Sequence, residues 1–216
     1  MRIFISFFVC AALLLAALVS VSPTARAQQA EAIEIRAASA VLYEKNSGQF
    51  LYDKDALETF PPGSLAKVMT LLLAVEAVGR GEVRLHQNVT VSQKALSYLT
   101  DQSLRHYQEG ERVRFSDLLY AAYIGSESEA CYIIAETVGG TVPEFVSHMN
   151  ARARALGCTD TLFSDPAGEG NGEQYTTARD QVVIFSAAVE NSLFLSIAQT
   201  TTYRAAATNL SPERTI

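Results

Sequence analysis

The first apolar segment of the chain lies at its start. It extends from Ile3 to Val21, follows the positive charge of Arg2, and is followed by Ala25-Arg26-Ala27. A charged start, an apolar run and a small-x-small sequence are typical of a secretory signal peptide that is cut after the last small residue. We therefore predict a signal peptide over residues 1–27, export to the periplasm or cell envelope, and a linker over residues 28–37. A retained membrane anchor is the alternative, because the run is nearly long enough to span a bilayer.

Two short apolar stretches at the start of the remaining chain predict a β-hairpin. They are residues 40–43 and 49–52, and the Asn-Ser-Gly sequence at 46–48 has the composition of a tight turn. Another strand is predicted at residues 88–92, and residues 200–204 could form one more. A hairpin is not stable by itself, and this chain offers few strands that could extend it to a sheet.

The longest helical pattern runs from Ser64 to about Val78, after a break at Pro61-Pro62-Gly63. Its apolar residues lie nearly all round the helix, so we expect it at the centre of the domain. Ser116 is a candidate N-cap, and Thr141 begins a capping box with proline in the first turn. Further helices are predicted at residues 116–124, 128–138, 141–156 and 177–190. Strands followed by helices and a possible last strand indicate an α+β fold in one domain, residues 38–216.

The charge balance limits the partners of this domain. Residues 1–27 hold two of the 17 lysines and arginines and none of the 23 acidic residues, so residues 28–216 carry 15 minus 23, or −8. A chain of this charge has no basic patch for nucleic acid or for anionic lipid. Its two cysteines, Cys131 and Cys158, lie in apolar helical stretches and are predicted to be buried free thiols. A disulfide is the alternative in an oxidising compartment.

The strongest chemical motif is Ser64-Leu65-Ala66-Lys67. Residues i and i+3 share one face of a helix, and a serine in the first turn is close to free backbone N–H groups that stabilise an oxyanion. A serine is a poor nucleophile until a base takes its proton, and a buried lysine of lowered pKa can be that base. Taken alone, the motif also fits a helix cap followed by a surface lysine. However, Lys67 is the only charged residue between Glu58 and Glu76, and an isolated charge is costly in an apolar segment.

Residues 62–70, which read Pro-Gly-Ser-Leu-Ala-Lys-Val-Met-Thr, resemble the nucleophile segment of serine D-alanyl-D-alanine carboxypeptidases, which belong to the penicillin-binding proteins. Residues 38–55 resemble the opening hairpin of that family. Residues 163–168 and 175–180 resemble two later segments in the same order. The resemblance covers residues 38–205 and implies the penicillin-binding-protein and β-lactamase fold, which has an antiparallel sheet and a helical cluster.

The second motif of the family corresponds to the stretch from Gly125 to Ala130, which reads Gly-Ser-Glu-Ser-Glu-Ala. The family's serine maps onto Ser126, where the resemblance implies proton transfer to the leaving group. The family's asparagine maps onto Ser128, a departure, since a hydroxyl reaches less far than an amide. Ser128 is therefore a candidate substrate-binding residue. The alternative is that Ser126 and Ser128 only cap the following helix.

The third motif, Lys-Thr-Gly, does not occur after residue 180, where Arg204 and Arg214 are the only cations. In the family this motif lies on a strand and holds the substrate carboxylate. The resemblance therefore implies a domain that is incomplete here, without its C-terminal strands, and a 216-residue chain that is a poor catalyst. If this chain nevertheless proved active, Arg179, Arg204 and Arg214 would be the candidates for the carboxylate-binding group.

The resemblance implies an enzyme that trims the terminal D-alanine of peptidoglycan stem peptides, with Ser64 as nucleophile, Lys67 as base and Ser126 as proton relay. β-Lactam antibiotics would be covalent inhibitors, and no cofactor or metal is implied. His86, His106 and His148 lack metal-ligand spacing and are predicted to be ordinary surface or half-buried residues. The alternatives are a non-catalytic wall-binding protein of the same fold and, less well matched, a β-lactamase.

Overall fold

A computed structural model describes residues 34–99, 106–170 and 173–216, and its helices and strands lie in the unit from Ala37 to Ile216. The predicted signal peptide lies outside the described residues. The strands are β1 Ala40–Glu44, β2 Gln49–Lys54, β3 Asn88–Thr90, β4 Arg112–Arg114, β5 Arg204–Ala205 and β6 Arg214–Thr215. The helices are α1 Ala66–Gly79, α2 Gln93–Ser97, α3 Phe115–Tyr123, α4 Ser128–Gly139, α5 Val142–Ala155, α6 Ala178–Glu190 and α7 Ser192–Ala198.

Helix α1 is the centre of this unit, as its apolar pattern predicts. Most of its side chains are buried, including Met69 and Leu72, and it packs against α3, α4, α5, α6 and α7. The helix ends at Gly79, and Gly81 follows in the left-handed region at φ +75°. A helix that is apolar all round can be stable only with neighbours on every side, and these five helices supply them.

The described strands pair only in twos, and all three pairs are antiparallel: β1 with β2, β3 with β4, and β5 with β6. The predicted opening hairpin is confirmed, with a register shift between Leu42 and Tyr43. Helix α6 packs against β1, and Arg179 of α6 lies over the ring of Phe50 at 4.2 Å. Helices packed on short antiparallel strands confirm the α+β class.

Several boundaries differ from the sequence predictions. Ser116 is not an N-cap: α3 begins one residue earlier, and the buried Ser116 hydroxyl donates to Oδ1 of Asp117. The strand predicted at 88–92 ends at Thr90. Of the strand predicted at 200–204, only residue 204 is in a strand, the two-residue β5. Strands β4 and β6 and helices α2 and α7 were not predicted, because segments of two to seven residues show too little of either period to be recognised.

The predicted cap of α5 is confirmed, since Thr141 accepts from the N–H of Glu144. Thr177 caps α6 in the same way by accepting from the N–H of Asp180. Cys131 and Cys158 are buried free thiols, as predicted. Within the described ranges, no single helix has the length and apolarity of a membrane span. Helices α6 and α7 pass that test together, but they are bent by 108° at their junction.

Candidate active site

Ser64 and Lys67 lie side by side at the start of the central helix. Ser64 is in a single 3-10 turn, Gly63–Leu65, that leads into α1. The ammonium nitrogen of Lys67 is 3.2 Å from Oγ of Ser64. Ser64 is exposed, whereas Lys67 is only 6% exposed. The turn thus presents the hydroxyl to solvent while burial in the helix fixes the amine behind it.

Ser126 contacts the same hydroxyl. Its Oγ donates a hydrogen bond of 3.2 Å to Oγ of Ser64. The backbone of Ser126 is in the left-handed region at φ +51°, which is unusual for a residue other than glycine. Ser64 Oγ therefore lies between an amine and a second hydroxyl, each at hydrogen-bonding distance.

The alternative in which Ser126 and Ser128 only cap α4 is wrong. The N-cap position of this helix is Glu127, and it makes no side-chain capping bond. Ser128 is the first residue of α4, is half-buried, and lines the same cavity as Ser64 and Ser126. The structure thus brings all four candidate residues of the sequence, Lys67 included, to one place.

A loop at residues 165–170 forms the facing wall, and Asp165 organises it. One oxygen of this buried carboxylate accepts the backbone N–H groups of Ala167, Gly168 and Glu169, at 2.7, 2.6 and 3.2 Å. The other oxygen accepts from the amide of Gln174 at 2.9 Å. These bonds fold the loop into a tight turn against the nucleophile segment.

Gly168 is the closest point between this loop and the nucleophile turn. A Cβ atom placed on Gly168 would lie 1.7 Å from the carbonyl oxygen of Gly63, so the two backbones are in direct contact. Thr70 of α1 adds a buried bond to the carbonyl of Pro166 at 2.7 Å. Any side chain at position 168 would therefore push the loop away from Ser64.

The cavity in front of Ser64 has a volume of about 410 Å³. Three glutamates, Glu127, Glu129 and Glu169, contribute to its walls, and sequence reasoning assigned a role to none of them. Lys67 is the only lysine or arginine that lines this cavity in the part of the chain that the structure describes. The other lining residues are Gly63, Leu99, His106, Gly125, Ala167 and Gly168.

The three arginines considered as carboxylate-binding groups are all engaged in ion pairs. Arg179 pairs with Asp53 at 2.9 Å, and Arg204 pairs with Glu213 at 3.5 Å. Arg214 pairs with Glu127 at 2.6 Å, and this carboxylate lines the cavity. Arg214 alone of the three thus contacts a residue of the site.

The histidines are exposed at the surface, which agrees with their prediction as ordinary residues. His106 was not expected at the site, yet it lines the cavity, and its backbone N–H donates to Glu129. Among the described residues, no group of three or more histidine, cysteine or acidic side chains is arranged to hold a metal ion.

Comparisons with known proteins agree with this geometry. A family model described as D-alanyl-D-alanine carboxypeptidase matches residues 24–213. The D-alanyl-D-alanine carboxypeptidase DacF of Bacillus subtilis is 34% identical over 148 residues, which are 68% of this chain and 38% of DacF. DacC of Escherichia coli is 31% identical over 176 residues, which are 79% of this chain and 44% of DacC. The chain thus spans less than half the length of these two relatives.

Solved structures show the same fold. The D-alanyl-D-alanine carboxypeptidase of Mycobacterium tuberculosis has a TM-score of 0.77 and 27% identity, over 88% of this chain and 69% of that one. Penicillin binding protein 6B of Escherichia coli has a TM-score of 0.75 and 26% identity, over 85% of this chain and 60% of that one.

Proposed function

Because this chain belongs to the D-alanyl-D-alanine carboxypeptidase family, we propose that it removes the terminal D-alanine from peptidoglycan stem peptides through an acyl-enzyme on Ser64. The observation that carries the proposal is the position of Ser64 Oγ, 3.2 Å from both Lys67 Nζ and Ser126 Oγ at an open cavity. A nucleophile with a base and a second proton carrier at hydrogen-bonding distance from it is what acyl transfer requires.

In the first half of the reaction, Ser64 Oγ attacks the carbonyl carbon between the two D-alanines, and Lys67 acts as the base that takes the serine proton. The carbon–nitrogen bond then breaks, and Ser126 relays the proton from Lys67 to the departing amine, which returns Lys67 to its starting state. Backbone N–H groups at the start of the helix would stabilise the developing oxyanion.

In the second half, a water molecule adds to the ester carbon and gives its proton to the base. The bond to Ser64 Oγ breaks, the serine regains a proton, and the shortened peptide leaves as a carboxylate. β-Lactams would acylate Ser64 in the same way, because their strained amide occupies the place of the scissile peptide bond.

A non-catalytic wall-binding protein is the second candidate. Two observations favour it: Ser128 occupies the position of the family's asparagine, and no arginine lines the described part of the cavity to hold a substrate carboxylate. Such a protein would bind peptidoglycan without releasing D-alanine.

Covalent labelling by a fluorescent penicillin separates the two candidates. We expect the native protein to be labelled at one site, with a mass increase equal to that of the penicillin, and Ser64→Ala to abolish the label. Ser147→Ala, an exposed serine on α5, is the matched control and should be labelled like the native protein. Release of D-alanine from a D-Ala-D-Ala peptide then tests turnover. Unchanged labelling of Ser64→Ala would contradict the proposed nucleophile, and retention on peptidoglycan without labelling would favour the binder.

We also propose export followed by cleavage after Ala27, supported by the sequence pattern of residues 1–27. N-terminal sequencing of the protein from the cell envelope is the test. The expected first residue is Gln28, and an intact Met1 would mean a retained anchor instead.

A further inference from the structure

A partly buried ion pair involves Glu127, the residue that follows Ser126. Both nitrogens at the end of the Arg214 side chain donate to the carboxylate of Glu127, at 2.6 and 2.7 Å. One of them also donates to the hydroxyl of Tyr107 at 3.0 Å. The Glu127 side chain is only 6% exposed, whereas the Arg214 side chain is 33% exposed, so the carboxylate is the buried partner of a half-buried pair. Hydrogen bonding to Glu127 raises the pKa of Arg214 above its usual value.

Such a pair requires an explanation other than stability. Burying the Glu127 charge costs free energy that its attraction to Arg214 largely returns, and a buried ion pair is often no more stable than apolar residues of similar volume. Arg214 lies on β6, 87 residues from Glu127 along the chain, so the contact also has to be formed at long range. What the pair can contribute is a fixed geometry at Glu127.

The neighbour of Glu127 needs such a fixed geometry. Ser126 is left-handed at φ +51°, a conformation that is strained for a residue with a side chain and persists only where its surroundings hold it. The N–H of Glu127 donates to the carbonyl of Ala121 at 3.1 Å. The Glu127 side chain folds back over Gly125, where a Cβ would meet Oε1 of Glu127 at 3.0 Å. Both ends of Glu127 therefore hold the turn that contains Ser126.

We infer that Glu127 and Arg214 are a pair of positioning residues that hold Ser126 in its left-handed conformation and so direct its hydroxyl to Ser64. The inference rests on the proposed function, because there Ser126 delivers the proton to the leaving group. Neither residue touches the reacting atoms, and their effect passes through the backbone of Ser126.

The segment that carries Arg214 is attached to the domain by other bonds as well. Tyr203 donates to Asp117 at 2.7 Å and stacks on Tyr120 at a centroid distance of 3.8 Å, and Thr208 donates to Glu111 at 2.7 Å. Docking of β5 and β6 therefore does not depend on Arg214 alone. Tyr203→Phe, which removes one of these bonds without touching Glu127, is the matched control for a purely structural role.

The chemistry of the leaving group distinguishes positioning from structure. Breaking an amide or β-lactam bond releases a nitrogen that must receive a proton, whereas breaking a thioester bond releases a thiolate that is stable without one. A displaced Ser126 should therefore slow acylation by penicillin much more than acylation by an acyl-D-alanyl thioester. General loss of structure would slow both reactions equally.

The experiment compares these two acylation rates in Glu127→Gln, Arg214→Met, the double variant, and Tyr203→Phe, well below their melting temperatures. We expect Arg214→Met to lower the rate of penicillin acylation at least about ten-fold and the rate of thioester acylation less than about three-fold. Only the nitrogen leaving group needs the proton that a misplaced Ser126 would fail to deliver. The fold-loss of penicillin acylation rate in the double variant should be smaller than the product of the two single losses, because both changes remove the same ion pair. Tyr203→Phe should leave the ratio of the two rates unchanged. Equal losses on both substrates, or the same ratio change in Tyr203→Phe, would overturn the inference.

A second measurement keeps the outcome separate from that of the proposed function. If the native protein is acylated by neither probe, the proposed function fails, and the positioning of Ser126 is then judged by crystal structures alone. In Arg214→Met we expect Ser126 to leave the region of positive φ and its bond to Ser64 to be lost. Finding Ser126 unmoved there would refute the role of the pair.

Discussion

At the residue scale, the environment of the Ser64 hydroxyl combines a local neighbour with a distant one. Lys67 lies next to Ser64 because of helical spacing alone, since it is three residues further along the chain. Ser126 is 62 residues away and reaches Ser64 only through a left-handed turn. The position of Lys67 is therefore as stable as helix α1, whereas the position of Ser126 depends on the packing of a turn that its own sequence does not favour.

Ser128→Asn should raise the rate of acylation by penicillin. Ser128 lines the cavity at the position where the family has an asparagine, and an amide can donate and accept at a longer reach than a hydroxyl. One recovered bond to a charged partner contributes about 1.5–3 kcal/mol, or about ten-fold or more in rate if it forms only in the transition state. Ser147→Asn on exposed α5 is the control. An unchanged or slower rate would show that Ser128 is adapted to its site.

The two buried thiols should be unreactive in the folded protein. Burial raises the pKa of Cys131 and of Cys158 to about 12, although the nearby positive charge of Lys67 opposes the shift at Cys131. At pH 8 only about one thiol in 10⁴ would be the reactive thiolate. In a form that begins at Gln28, we expect a thiol-specific disulfide reagent to react slowly in buffer and with two thiols per chain in guanidinium. Rapid modification of the native form would contradict the burial of these residues.

At the scale of elements, the site is assembled where three segments meet. These are the turn before α1, the start of α4, and the loop at 165–170. The first and third are in backbone contact through Gly168, and Asp165 holds the loop in the shape that allows this contact. The width of the cavity beside Ser64 is thus set by one carboxylate.

Replacing that carboxylate should disturb both the fold and the site. Asp165→Ala would leave three backbone N–H groups without their partner, and bonds to a charged group contribute about 1.5–3 kcal/mol each. We expect the free energy of unfolding to fall by about 4.5 kcal/mol or more, the melting temperature to fall by about 9–18 °C or more for a domain of this size, and penicillin acylation to be slower. Calorimetry and fluorescent labelling measure the two effects. Asp160→Ala, an exposed acid in the same region, should change neither; an equal effect there would argue against a special role of Asp165.

The elements that sequence could predict are those specified locally. Helix α1, the opening hairpin and the Thr141 cap depend on neighbours a few residues away, and all are found as predicted. Strands β4 and β6 have only three and two residues, which is too short to show a period of their own.

The same limit applied within the site. The motif pattern identified Ser126 but not its positive φ, which results from tertiary packing. A signal for Glu127 was nevertheless present, because a charged residue stands between the two motif serines just before a mainly apolar helix. Its partner Arg214 could not be identified, since nothing in the sequence pairs residues 87 positions apart.

At the scale of the whole molecule, the helices form a continuous core, while the described strands remain in separate pairs. The opening hairpin contacts α6 with one face. On the hairpin, Leu42 and Leu51 are 56% and 59% exposed. Within the described residues, each of its strands has one edge whose N–H and C=O groups are not paired with another strand. An open edge with exposed leucines is a template for pairing with another chain.

We therefore expect the 216-residue chain to self-associate through this hairpin. Changing both Leu42 and Leu51 to threonine removes the exposed apolar surface but introduces a residue that favours strands. The free energy of unfolding should therefore change by less than about 1 kcal/mol, and the melting temperature only slightly. Sedimentation velocity at several concentrations should show fewer oligomers, and light scattering on heating should begin later. Leu210→Thr is the control, because Leu210 is similarly exposed, at 48%, but lies outside the strands. If the hairpin variant associated as strongly as the native chain, or if Leu210→Thr reduced association equally, another surface would have to hold the copies together.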